Sequence, residues 1–498
     1  MVRDFGHEDA GNASVDSLAR IVHTDQVQAF LGSNSKRYVV GPKGSGKTLI
    51  LLRKAIDQRD DRSCICIPSD PHRPVDRLDA AEHLGQRFFH KVGGDSQTEQ
   101  HLAWTAVWKH AILSSVLHHL AQEVLERLPQ ETQRRRLAEL VKLDSPFPLR
   151  PFHYYRDVTH RLDSAPRDVL ARIRDDLNDV DVFLQLPTRD VHVFLDNLDD
   201  YYEMHPRLWK QSMYGQFRAV REISQAQRHV HLYTSIRADV FAQFRDEMRL
   251  QYFDYVCQLG YRPEDLLRIF EDRIALLDED LLERPQLRDK DPWVAFLGDH
   301  ACLHWSDDAR PEPVSSLILR HSLGRPRDMI HMGTVLLAER RDGFTADSVR
   351  DAIVRASAVC LDQYLHEIEP LLSPHGLDVR EFLLELVPGA VVDAETMGEL
   401  ELLYADWKQL DSTSGAAAHP FALLYELGLL GIQETDRKGH AVQHFRQPGQ
   451  GLDTLRLPRS PRYFLHPAVC LAYAEHIGSA CVATGHGLPV PTEVYAHG

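Results

Sequence analysis

The chain has 498 residues, of which 43% are hydrophobic and 26% are charged. This composition is typical of globular proteins and, at roughly 100–200 residues per domain, suffices for about three domains, which excludes a mainly disordered chain. The 73 acidic and 57 basic residues give a formal net charge of −16. That charge excludes a protein that binds polyanions over its whole surface, although one domain can still carry a local basic patch.

The N-terminal sequence MVRDFGHEDAGNASVD lacks the apolar core of a signal peptide, and residues 1–20 are predicted to form a loose tail. No run approaches the roughly 18 apolar residues that a membrane-spanning helix needs. The seven cysteines are odd in number and include no C-x-x-C pair, which argues against a disulfide or zinc framework. We therefore expect a cytoplasmic protein with no membrane partner.

Short apolar runs then alternate with stretches of helical periodicity. Five runs bounded by turn residues are predicted strands: 37–40, 64–67, 191–195, 229–235 and 252–259. Helical patterns lie between them, near 208–227 and 238–249 among others. This alternation predicts an α/β core with a mostly parallel sheet over residues 21–260.

Three further regions complete the predicted organisation. Residues 75–187 are mainly helical and form a large insertion in the core, in which Trp104 and Trp108 are expected to be core packing. Residues 261–370 contain helical patterns only and form a second domain. Residues 371–498 mix helices, turn-rich sequence and a strand near 463–465.

The first strand leads directly into a glycine-rich motif of the form G-x-x-x-x-G-K-[ST]. Its residues are Gly41, Pro42, Lys43, Gly44, Ser45, Gly46, Lys47 and Thr48. Glycines between a strand and a helix let backbone N–H groups surround phosphate oxygens, and the helix dipole favours the negative charge. Lys47 is expected to reach the β and γ phosphates, and the Thr48 hydroxyl to ligate Mg²⁺.

A carboxylate for that metal ion follows the strand at 191–195. Asp196 is the predicted second Mg²⁺ ligand, and Asp199 and Asp200 stand just past the strand end, where a carboxylate can polarise an attacking water. Ser235, at the end of the next strand, is predicted to lie near the γ-phosphate, where its hydroxyl can orient water. These residues favour hydrolysis over binding alone.

With these motifs in order, the chain resembles the AAA+ and STAND-type P-loop ATPases of the ASCE class, over about residues 20–335. The resemblance implies ATP as the nucleotide and places the strand carrying the acid next to the P-loop strand. It implies that Asp196 is the magnesium acid, that Asp199 and Asp200 are catalytic, and that Ser235, with Thr234, is a sensor.

Arginines extend the resemblance. Gly324-Arg325-Pro326-Arg327 is similar to the G-x-P-R of a helical lid, which implies that residues 261–370 are this lid and that Arg327 contacts the phosphates. Members of the family form homo-oligomers in which an arginine completes the neighbouring subunit's site. Arg237, Arg245 and Arg249 are the candidates for that role.

The C-terminal region resembles a winged helix, an arrangement similar to that of bacterial conflict-system ATPases. The stretch up to Arg459 would form the wing and Tyr463–Leu465 the returning strand. The resemblance implies an ATP-driven molecular switch in anti-phage defence or signalling, with the damaging activity on a separate effector chain.

Two alternatives stay open. The first is a DNA-associated loader or remodeller that contacts DNA through residues 371–498; the basic residues of its wing would be Arg437, Lys438, His440, Arg446, Arg456, Arg459 and Arg462. The second is a nucleotide-binding scaffold that does not turn over, against which the complete set of motif residues argues.

Overall fold

The computed structural model describes residues 5, 24–58, 64–67, 97–141, 166–196, 206–238, 241, 253–304, 311–340, 343–372, 389–407, 420–435, 441–446 and 457–472. Most of the predicted helix at 238–249 lies outside these residues. The predicted loose tail also lies outside them, apart from Phe5.

A five-stranded sheet organises the first half of the chain. Its strands are β1 (Tyr38–Gly41), β2 (Cys64–Ile67), β3 (Val191–Leu195), β4 (Val230–Arg237) and β5 (Val256–Gln258). Every neighbouring pair is parallel, and the spatial order is β2-β3-β4-β1-β5. The predicted parallel α/β sheet is therefore confirmed.

The expectation that the acid strand lies next to the P-loop strand is wrong. β4 lies between β3 and β1 and is hydrogen-bonded to both, with Leu195 opposite Thr234 on one side and Val39 opposite Ser235 on the other. Crossover connections in a parallel sheet allow strands to be placed out of chain order, so the sequence order of two strands does not make them neighbours.

Residues on β1, β3 and β4 are buried on both faces of the sheet. Continuous apolar runs of this kind are expected where helices cover both faces of a parallel sheet. One face is covered by α3 (Gln97–His119), α4 (Ala121–Arg127), α5 (Glu131–Val141), α6 (Pro166–Phe183) and α7 (Pro206–Ala226).

The helices of the predicted insertion share one hydrophobic core with the sheet. Trp104 and Trp108 are fully buried in that core together with Val193 and Leu232, as expected for core packing. Helices α3 and α7 cross closely at Gly215, where an added Cβ atom would lie 2.8 Å from the carbonyl carbon of Trp104. The region is therefore an integral layer of the α/β core.

The opposite face carries α1 (Asp25–Gly32) and α2 (Lys47–Asp57). Lys54 of α2 is buried and donates hydrogen bonds to three carbonyl oxygens at the end of α1, those of Phe30, Leu31 and Ser33. Burial lowers the pKa of the Lys54 ammonium to about 8. The side chain thus satisfies the carbonyls that a helix leaves unpaired at its C-terminus and joins α1 to α2.

The next region is mainly helical. Its elements are α8 (Pro263–Ile274), α9 (Pro292–Leu297), α10 (Val314–His321), α11 (Pro326–Glu339) and α12 (Ala346–Leu372). The expectation of helices alone is wrong in detail, because β6 (Cys302–Leu303) and β7 (Glu312–Pro313) form a short antiparallel pair. Phe5 is buried against Phe270 and Phe296 of this region, with ring centroids 4.5 and 5.8 Å away.

The C-terminal module is built on a four-stranded antiparallel sheet in the order β10-β9-β11-β8. Its elements are β8 (Val391–Asp393), α13 (Ala394–Trp407), α14 (Pro420–Glu426), β9 (Leu430–Thr435), β10 (Ala441–His444), β11 (Arg462–Leu465) and α15 (Pro467–Ala472). The predicted returning strand is β11. The end of α12 packs into this module, because Leu361, Leu365 and Ile368 belong to its core.

Within the described part of the chain, none of the helices combines the length and apolarity needed to cross a membrane.

Candidate functional site

The turn between β1 and α2 is a glycine loop with an unusual backbone. Gly44 and Gly46 have positive φ angles of 79° and 85°, a conformation that side-chain-bearing residues rarely adopt. Gly46 is the N-cap residue of α2 and makes no side-chain capping hydrogen bond. The N–H groups of the first turn of α2, which have no partner within the helix, therefore point towards the loop at the positive end of the helix dipole. An anion site requires this arrangement.

Lys47 lies folded over this loop. Its ammonium donates to the carbonyl oxygens of Gly41 at 3.1 Å and of Pro42 at 2.9 Å. These acceptors belong to the loop itself, so the charge of Lys47 is held where phosphate oxygens would enter. Thr48 follows in the same helical turn and is partly exposed.

Asp196 and Ser235 meet at the carboxyl ends of β3 and β4. The Ser235 hydroxyl donates to Oδ1 of Asp196 at 2.5 Å, a short bond of the kind that a carboxylate acceptor favours. Ser235 is paired in register with Val39 of β1, two residues before Gly41. The tip of β3 and the loop after β1 are thus linked through β4.

Thr234 is not part of this site. Its side chain is fully buried and its hydroxyl oxygen accepts a hydrogen bond of 2.7 Å from Nε2 of Gln216 on α7. Because successive residues of a strand point to opposite faces, Ser235 and Thr234 cannot both face the same ligand. Of these two residues, only Ser235 contacts Asp196.

Arg327 lies directly on the glycine loop. Its backbone N–H donates to the Gly44 carbonyl oxygen at 3.2 Å, and a Cβ atom added to Gly44 would be 3.0 Å from Cβ of Arg327. Its Nη1 donates to Oε1 of Glu367 at 3.2 Å. The arginine of the G-x-P-R motif is thus placed at the loop by the N-terminus of α11, and its contact with phosphates stays a prediction.

Two site residues, Tyr261 and Glu367, and one core residue, Gln216, were not identified from the sequence. The buried Tyr261 hydroxyl donates to the Ser45 carbonyl oxygen at 2.8 Å, and burial raises its pKa. Tyr261 follows β5 at the same edge of the sheet, a position from which it could have been inferred. Gln216, which orients Thr234, and Glu367, which contacts Arg327, lie on helices and carry no motif.

Other predicted residues do not enter the described site. Asp199, Asp200, Arg245 and Arg249 lie outside the described residues. Arg237, at the end of β4, is buried and donates through Nη2 to the backbone carbonyl oxygen of Glu367 at 3.0 Å. Its side chain is thus bound by α12 of the same chain.

Whether the site fits a nucleotide with Mg²⁺ can be tested on the hydrogen-bond donors and metal ligands that its residues offer. Ser45 Oγ and Arg327 Nε are buried without a hydrogen-bond partner among the described residues, and both lie at the loop. The described residues contain no group of three or more His, Cys, Asp or Glu side chains that could hold a metal ion alone. A hydroxyl from Thr48 and a carboxylate from Asp196 fit Mg²⁺, which in nucleotide sites takes one or two carboxylates and completes its shell with phosphate oxygens and water.

The basic residues of the C-terminal module are divided. Arg446 is paired with the buried carboxylate of Glu426 on α14, and its guanidinium lies over the Tyr425 ring. Arg459 and Arg462 are exposed. The remaining four basic residues named for the wing lie outside the described residues.

No protein-family model matches the chain, and no curated protein matches its sequence.

Proposed function

We propose that the chain is a Mg²⁺-dependent ATPase that acts as a nucleotide-driven molecular switch. The observation that carries the proposal is the contact of Arg327 with the glycine loop that Lys47 covers, because the Arg327 backbone N–H donates to the carbonyl oxygen of positive-φ Gly44. The Ser235–Asp196 pair lies on the strands beside this loop, since β4 pairs with β1 on one side and with β3 on the other.

Each residue has a role that follows from its placement. The loop N–H groups and Lys47 would bind phosphate oxygens, and Lys47 would exchange its carbonyl acceptors for them. Thr48 and Asp196 would hold Mg²⁺, which when bound neutralises developing charge on the phosphates. Ser235 would keep the Asp196 carboxylate oriented, and Arg327 would add a second cation from the lid.

Activation of the attacking water is assigned, from the sequence pattern, to Asp199 or Asp200. Assembly into a homo-oligomer, a separate effector chain, and a role in anti-phage defence or signalling are predictions that rest on the resemblance alone. A winged helix in the C-terminal module is likewise a proposal, supported by the antiparallel β9–β10 pair and the returning strand β11.

We expect Lys47→Ala to lower ATP hydrolysis by about a hundredfold, because removal of a preorganised donor to the phosphates costs a few kcal/mol of transition-state stabilisation. The double variant Asp199→Asn/Asp200→Asn should retain ATP binding and lose hydrolysis. Release of phosphate from ATP with Mg²⁺ is the measurement, and Lys290→Ala, an exposed lysine of the lid region, is the control for loss of one positive charge.

Wild-type protein that neither binds nor hydrolyses ATP would overturn the proposal. Tight binding without turnover would favour the scaffold alternative. Stimulation by double-stranded DNA would favour the loader, for which the pairing of Arg446 with Glu426 removes one predicted DNA contact. The mass in solution, measured with and without ATP, tests the assembly.

A further inference from the structure

Glu367, on α12, shares its carboxylate between two arginines. Oε2 accepts a hydrogen bond of 2.8 Å from Nη1 of Arg325, and Oε1 accepts one of 3.2 Å from Nη1 of Arg327. The Glu367 side chain is only 6% exposed. Such a buried carboxylate needs a cationic partner, because an unpaired buried charge is costly.

The two halves of this contact are unequal. Arg325 is fully buried and also binds Asp328, whose two oxygens lie 2.8–3.1 Å from its Nε and Nη2. The Arg327 side chain is 25% exposed and is joined to Glu367 by one longer bond. Glu367 would thus remain paired with Arg325 if Arg327 turned away, so the outer half of the contact can break without leaving a buried charge alone.

The main chain of Glu367 is fixed separately. Arg237, at the end of β4, donates to the Glu367 carbonyl oxygen at 3.0 Å. The carboxylate is therefore held next to the phosphate loop by the same strand that carries Ser235. A polyphosphate carries more negative charge than a carboxylate and can accept both arms of a guanidinium, so it is the stronger acceptor for Arg327.

We propose that Glu367 is a competing anion that holds Arg327 when no nucleotide is bound, and that nucleotide phosphates must displace it. The inference rests on the proposed function and adds a regulation of the same site. Glu367 acts through Arg327 and is therefore a positioning residue that lowers nucleotide affinity in the resting state.

This contact also joins the site to the C-terminal module. One turn before Glu367, the Tyr364 hydroxyl donates to the Leu427 carbonyl oxygen of that module at 2.7 Å. Helix α12 therefore contacts both the arginine at the loop and the C-terminal module.

The test is a double-mutant cycle on the affinity of the full-length chain for ATP with Mg²⁺. Glu367→Gln is expected to tighten binding about two- to fivefold, since a partly exposed ion pair is worth a fraction of a kcal/mol up to about 1 kcal/mol. Arg327→Ala should weaken binding, and adding Glu367→Gln to it should change nothing further. Glu369→Gln on the same helix removes an exposed carboxylate whose described partner is His366, and it should match wild type.

Unchanged or weaker ATP binding by Glu367→Gln would overturn the inference, since a purely structural role of Glu367 can only weaken binding. Equal tightening of ATP binding with and without Arg327 would also overturn it. If the Gln variant does not fold, Glu367→Asp is the second variant, because it keeps a charge beside Arg325 on a shorter side chain. It is also expected to tighten ATP binding. A folded Asp variant that binds ATP no more tightly than wild type would contradict the inference. Wild-type protein that binds no ATP would overturn the proposed function itself, whereas wild-type binding with no effect at Glu367 overturns only this step.

Discussion

Ser235 and Thr234 are neighbours in β4 with different surroundings. The Ser235 hydroxyl holds Asp196, whereas the Thr234 hydroxyl binds Gln216 in the core between the sheet and α7. Successive side chains of a strand point to opposite faces of the sheet, so replacing one of these residues should not affect the contacts of the other. One hydroxyl is therefore expected to matter for the reaction and the other for stability.

We expect Ser235→Ala to lower ATP hydrolysis about ten- to hundredfold, because groups that orient a metal-ligating carboxylate typically contribute this much. Thr234→Val is the matched control. It should leave turnover by folded protein nearly unchanged and lower the free energy of unfolding by about 1–3 kcal/mol, because buried Gln216 loses its acceptor. Steady-state hydrolysis and denaturant unfolding of both variants measure this, and the reverse pattern would contradict the assignment.

At the scale of elements, the crossing of α3 and α7 decides how the helical layer lies on the sheet. Glycine in a helix interior is unfavourable by about 1 kcal/mol relative to alanine. Gly215 is nevertheless required, because a Cβ atom there would be 2.8 Å from the carbonyl carbon of Trp104 and 3.0 Å from the backbone nitrogen of Thr105. Those contacts are with backbone and cannot be relieved by a side-chain rotation.

Gly215→Ala is therefore expected to lower the free energy of unfolding by about 1–3 kcal/mol, as overpacking of a core does. Gly398→Ala in α13 is the matched control, since a Cβ atom there meets nothing within 4 Å among the described residues. It should raise stability by up to about 1 kcal/mol. Chemical denaturation of both variants checks the prediction, and equal effects would show that α3 and α7 do not cross so closely.

At the scale of the whole molecule, α12 connects the helical region at 263–339 with the C-terminal module. Its first half packs in the core of that helical region, through Val349, Ile353 and Ala356, and its second half packs with the module. Because one helix contributes to both cores, the two regions are expected to unfold together.

Tyr364→Phe tests this connection. It removes the donor to the buried Leu427 carbonyl oxygen and should lower stability by about 1–3 kcal/mol. Tyr255→Phe, at an exposed residue, should change stability by less than about 0.5 kcal/mol. Thermal unfolding of the full chain measures both, and a Tyr364→Phe protein as stable as wild type would mean that this bond does not hold the module to α12.

Several features follow from local sequence alone. The apolar runs at 38–40, 64–67 and 191–195 are strands because short continuous apolar segments bounded by turns suit the interior of a parallel sheet. The conformation of the loop after β1 is fixed by its glycines, because positive φ at Gly44 and Gly46 is a local property of the backbone. Arg327 could be placed at the loop from its motif.

Tertiary structure decided the rest. Hydrogen bonding between distant segments determines which strands become neighbours. This choice places β4 between β1 and β3. It also sets the different surroundings of Thr234 and Ser235 and the contacts of Tyr261 and Gln216. The pairing of Glu367 with Arg327 joins residues forty positions apart, a partner choice that no local pattern records. The sequence determined which chemistry the loop can hold, because that depends on backbone freedom and residue type. Packing alone decided which charged side chains meet at the loop, because burial makes the Glu367 carboxylate a more favourable acceptor for Arg327 than other carboxylates of the chain.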